Sequence, residues 1–65
     1  MKQIIANELT QAGFKVDDFA NGLLVSLKNR KISTMEVDTL LLDRLEVRVG
    51  MSSVSQGVFI GTVTL

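Results

Sequence analysis

Lys28, Arg30 and Lys31 place three of the chain's seven basic residues within four positions, inside the stretch KNRKISTMEV at residues 28–37. The chemistry open to them is anion contact. They stand directly before a helix start, where unpaired amides and the helix dipole favour a phosphate or a carboxylate. Two features of the same stretch oppose that use. Ser33 and Glu36 have the S-x-x-E spacing of a capping box, which satisfies those amides and adds a negative charge. The cluster also lacks the aromatic side chains on which single-strand binders stack bases. It reads as a solvated connector organised by the cap. Weak nucleic-acid binding through these three residues is the alternative.

Other site chemistry is scarce. The chain has no His, Cys, Tyr or Trp, so the commonest general base and the best nucleophile are missing. Disulfides and cysteine- or histidine-based zinc patterns go with them. The carboxylates are Glu8, Asp17, Asp18, Glu36, Asp38, Asp43 and Glu46. Asp17 and Asp18 are adjacent, so on a strand they point to opposite faces and cannot share a proton or a metal. Glu36 is explained as a cap, and Asp38 complements the helix dipole. Glycines 13, 22, 50, 57 and 61 are dispersed and make no phosphate loop. Gly61, inside the expected last strand, suits a bulge or a close backbone approach. No catalysis, metal or cofactor is expected.

The elements that position these residues follow from periodicity. Residues 2–12 read as a helix, with Ile5, Leu9 and Ala12 on one face and Ile4 beside them. Gly13 suits the left-handed position that ends it, and Phe14 falls where it packs back on Leu9. A hairpin follows around Asn21-Gly22, the dipeptide of a type I′ turn. That turn pairs Ala20 with Leu23, Asp18 with Val25 and Val16 with Leu27. One face then carries Phe14, Val16, Ala20, Leu23, Val25 and Leu27, with Asp18 as the only charge. The other carries Lys15, Asp17, Ser26 and Lys28, with Phe19 opposite Leu24. A longer loop starting at Asp17 would take Asp18 off the apolar face.

Ser33 starts a second helix that runs to about Arg44, with Ile32 and Val37 as its hydrophobic staple. LEVRVGM at residues 45–51 alternates as a strand, with Leu45, Val47 and Val49 inward. SSVSQG reads as a loop, and VFIGTVTL as a closing strand rich in β-branched residues. The expected fold is α+β, helix-hairpin-helix-hairpin (αββαββ). It has a four-stranded, mainly antiparallel sheet with two helices on one face.

Apolar residues outside that core are the other candidates for function. Leu40, Leu41 and Leu42 together span about 200° of the second helix, more than one sheet covers. Leu42 falls beside Met35 and Asp38, away from the core stripe of Val37, Leu40 and Leu41. Met35 and Leu42, rimmed by Asp38 and Asp43, form one candidate partner interface. Phe19 and Leu24 on the polar hairpin face form a second.

Size and charge bound the rest. A single domain of 65 residues buries only about 60% of the surface its unfolded chain exposes, so self-association as a homodimer is expected. The second helix offers one route. The last strand, without charge or proline to guard an edge, offers another. Seven basic and seven acidic residues cancel, which removes any global pull towards nucleic acid or membrane. The N-terminal stretch carries Asn7 and Glu8 where a signal peptide needs an apolar run, so a cytoplasmic location is expected.

LTQAGFKVDDFANGLLVSLKNRKISTMEV, residues 9–37, resembles small proteins encoded by phages and mobile elements. The resemblance implies a non-catalytic module that binds a larger host protein, as an inhibitor of a defence complex or as an adaptor. The first helix, Ala12-Gly13-Phe14 and the hairpin also resemble the HicA toxins. Their active histidine has no counterpart here, so that likeness implies no RNase activity.

Overall fold

The computed structural model describes residues 2–19 and 21–61. In chain order it consists of α1 (Lys2–Gln11), β1 (Lys15–Phe19), β2 (Gly22–Ser26), α2 (Thr34–Leu45), β3 (Met51–Val54) and β4 (Gly57–Ile60). The strands form one antiparallel sheet in the order β1-β2-β4-β3. The expected α+β class, with two helices and a four-stranded antiparallel sheet, is what the described residues adopt. Among the described residues no helix is long and apolar enough to cross a membrane.

Helix α1 ends as its sequence requires. Gly13 has φ +101°, and the Phe14 amide donates to the Leu9 carbonyl at 3.1 Å while the Gly13 amide donates to Thr10 at 3.0 Å. These are the paired bonds of a Schellman stop. They turn Phe14 inward, where it joins Ile5 and Leu9 in the core.

Alternation along the strands sorts the sheet into two faces. Leu23 and Val25 on β2 stand beside Ile60 and Val58 on β4. All four are buried in one cluster with Ile5 and Leu9 of α1 and Val37 and Leu41 of α2. Val16 and Met51 extend this face towards the two edges and are half-buried against the cluster.

The first hairpin differs from expectation by a two-residue slip. Phe19 pairs with Gly22, Asp18 with Leu23, Asp17 with Leu24 and Val16 with Val25. The expected pairings of Asp18 with Val25 and of Val16 with Leu27 are therefore incorrect, and the expected one of Ala20 lies outside the described residues. No longer loop forms from Asp17, which stays within β1. A slip of two preserves which side chains share a face, so the face assignments survive.

Gly22 explains the slip. It does not have the positive φ of a turn residue, because it is already a strand residue beside β4. A Cβ there would collide with the Ile60 carbonyl oxygen. A Cβ on Gly57, which does have a positive φ, would likewise strike the Val25 carbonyl oxygen. Gly61 is not the tight position: an added Cβ would make an ordinary 3.5 Å contact with the Phe59 ring.

The second half departs further. Helix α2 runs to Leu45 and is closed by Glu46 in a left-handed conformation, φ 56° and ψ 39°, whose amide donates to Leu42. Residues 46–50 therefore form no strand, although Val47 and Val49 still turn towards the core. The strand begins at Met51, so residues 52–54, expected as loop, are strand β3. The expected closing strand is seen as Gly57–Ile60, and its residues 62–65 lie outside the described part.

Candidate functional site

The N-terminus of α2 forms half of the expected capping box. Ser33 is the N-cap, and its hydroxyl accepts the Glu36 amide at 3.2 Å. Ile32 and Val37 are both buried, as a staple requires. The Glu36 carboxylate turns outward instead of returning to Ser33. It takes a two-pronged bond from Arg30, with Nη1 to Oε1 at 3.0 Å and Nη2 to Oε2 at 2.5 Å. Arg30 also donates to the Lys31 carbonyl at 3.2 Å, which folds the connector onto itself. Hydrogen bonding from Arg30, helped by its charge and by the backbone of Ser33, holds the Glu36 carboxyl below its ordinary value; partial burial opposes this. The same bond and charge raise Arg30.

That pair changes the basic cluster. Lys2 pairs with Asp18 at 2.5 Å, Lys15 with Asp17 at 4.0 Å, Arg44 with Glu8 at 2.8 Å and Arg48 with Asp38 at 3.3 Å. With Arg30 committed to Glu36, Lys28 and Lys31 are the cations without a carboxylate partner among the described residues. They flank an open cleft of about 310 Å³ between the connector and the Ser55-Gln56 turn. Two of the three expected anion contacts are therefore free, and the third is occupied.

Asp17 and Asp18 lie on opposite sides of β1, each with its own lysine. Asp18 sits on the helix-side face but remains exposed, which settles its conflict with the apolar pattern. Among the described residues no three carboxylates gather into a metal-binding group.

The sheet face away from the core is the more organised surface. Its central row runs Asp17, Leu24, Phe59 and Ser52 across the four strands. Phe19 stands across from Gly22, not from Leu24 as expected, and is 56% exposed. Its ring meets Phe59 edge to face, with centroids 6.0 Å apart and planes at 85°. The Phe59 ring leans over Gly22 and towards Gly61, so two glycines form the floor beneath it. Leu24 is half-buried beside it. The charged strand residues on this face, Lys15 and Asp17, pair with each other, so the patch is apolar and locally neutral.

Phe59 was not among the residues singled out from sequence. The signal was present in Val58-Phe59-Ile60: if Val58 and Ile60 face inward, Phe59 must face outward.

Met35 and Leu42 lie elsewhere, on α2, and are 76% and 43% exposed. Met35 borders an open cleft with Val49 and Met51, and the Asp38–Arg48 pair lies on its rim. The structure thus gives two separate apolar patches, one on the open sheet face and one along α2. Compared with known proteins, the chain matches no family model, no curated relative and no solved structure.

Proposed function

We propose that this chain is a non-catalytic protein-binding module whose recognition surface is the open face of its sheet. In this reading the helix-hairpin-helix-hairpin arrangement sets both helices on one face and leaves the other for a partner. The observation that carries it is the Phe19–Phe59 pair, an edge-to-face aromatic contact held in the open over Gly22. Pairing fixes both rings before any partner arrives, so little entropy is lost on contact. Interfaces enrich phenylalanine and methionine, and a neutral apolar centre suits another protein better than a polyanion.

The resemblance of residues 9–37 to phage and mobile-element proteins gives the specific form, a cytoplasmic inhibitor or adaptor of a host complex. Self-association as a homodimer belongs to the same reading, as does a secondary contact at Met35 and Leu42. The test is quantitative capture from a host lysate with wild type, Phe19→Asp and Leu42→Asp, each checked for fold by circular dichroism. The expected result is a partner held by wild type and Leu42→Asp and lost by Phe19→Asp. Equal recovery by all three, or by none, overturns the reading.

Nucleic-acid binding is the second reading, supported by the unpaired Lys28 and Lys31. Two phosphate contacts give a log–log salt slope of only about −2 for duplex DNA. Absence of a gel shift at low salt removes it.

A further inference from the structure

We propose that β3 is the self-association edge. Two copies pair antiparallel through Met51–Val54, with Ser52 on the two-fold axis, and join two four-stranded sheets into one. The proposal gives a route to the homodimer of the preceding reading and does not depend on the open-face partner.

The two edges of the sheet differ. On β1 the edge carries Lys15, Asp17 and Asp18, the charges that discourage strand addition. On β3 it carries Met51, Ser52, Ser53 and Val54, with no charge or proline. The uncharged β4, expected to be the vulnerable strand, is instead paired on both sides. That expectation was misplaced by one strand.

The register specifies the pairing. The Gly61 amide donates to the Gly50 carbonyl at 3.0 Å, so Gly50 and Gly61 form a hydrogen-bonded pair of the ladder. Antiparallel alternation then turns the amides and carbonyls of Ser52 and Val54 towards β4, and those of Met51 and Ser53 away from it. A second copy run antiparallel satisfies these outward groups when Met51 faces the second copy's Ser53. Ser52 then meets Ser52 across the axis, and no charge meets a like charge.

Side chains agree with this register. Val54, 39% exposed, stands across from the second copy's Gly50. Above Gly50 an added Cβ would find nothing within 4 Å among the described residues. A valine over a bare glycine is a complementary contact, and the two-fold makes it twice. The row Leu24, Phe59, Ser52 would then continue through the axis into the second sheet.

Ser52→Cys tests the register in a chain with no other cysteine. Directly opposed residues of a non-hydrogen-bonded antiparallel pair have Cα atoms about 4.5 Å apart, within the disulfide range of roughly 4.4–6.8 Å. Mild oxidation should yield a covalent dimer of twice 7.1 kDa, whereas Ser53→Cys, facing Met51 instead of itself, should not. Ser53→Pro removes an outward amide that the monomer does not use, so it should leave the circular dichroism unchanged and halve the mass found by sedimentation. Three results overturn the proposal: wild type sedimenting at 7.1 kDa at high micromolar concentration, equal cross-linking of the two cysteine variants, or a dimer that survives Ser53→Pro. A wild type that captures no partner, alongside efficient Ser52→Cys cross-linking, would remove the open-face reading and support this one.

Discussion

Glu36 sits where two local rules compete for one carboxylate. The capping box would return it to Ser33, but Arg30 holds it from outside the helix. The consequence for pH has a definite sign. Because the folded state depresses its pKa, Glu36 stabilises the fold above its ordinary value of 4.5, and that contribution is lost as the pH falls through the folded value. Glu36→Gln should therefore be less stable than wild type at neutral pH, with the difference shrinking in acid, as read from urea midpoints. Gly22 makes the second prediction. Its Cβ would meet backbone, which cannot rotate aside, so Gly22→Ala should lose about 2–3 kcal/mol, the upper range for overpacking. That is a large part of the roughly 3–10 kcal/mol expected of 65 residues, and a urea midpoint measures it. Asn21-Gly22 announced a hairpin, but Gly22 is the first residue of β2 and not the second centre of the turn. That the glycine serves a neighbouring strand was not legible, because Ile60 lies 38 positions further along the chain.

Helices were more legible than strands because their boundaries are local chemistry. Ser33, Ile32 and Val37 marked the start of α2 to the residue, and Gly13 with Phe14 marked the end of α1. The end of α2 carried no such mark. Glu46 takes the left-handed position that glycine usually fills, at an expected strain of about 1–2 kcal/mol. Thermal melts of two variants should therefore move in opposite directions. Ser33→Ala should lower stability by about 1 kcal/mol, and Glu46→Gly should raise the midpoint by a few degrees. At the element scale the strand error also has one cause. Alternation in residues 45–51 reported burial correctly, but a strand needs a partner, and β4 offers its ladder to Met51–Val54.

Across the whole molecule, zero net charge conceals an uneven distribution. Five ion pairs neutralise most charges among the described residues, leaving Lys28 and Lys31 in the connector and Asp43 and Glu46 near the end of α2. Composition reported the sum and not the arrangement. The candidate site was legible only in part for the same reason. Phe19 and Leu24 stood out as apolar residues on a polar face; alternation in Val58-Phe59-Ile60 could turn Phe59 outward, but its place beside Leu24 shows only in the pairing of β4 with β2.

The central position of β4 also sets an order in time. The helices and the first hairpin are all synthesised before Val58 and Ile60, the residues against which Leu23 and Val25 pack. Until Gly57–Ile60 emerges, the nascent chain has a gap in the middle of its sheet and no means to close its core. Folding is then concerted, because the β2–β4 ladder joins segments far apart in the chain while both hairpins are local. A fragment of residues 1–54, which lacks the strand that pairs with both β2 and β3, should show no cooperative melt by circular dichroism. During that interval Ile5, Leu9, Leu23 and Leu41 lack Val58 and Ile60, the residues that complete their cluster.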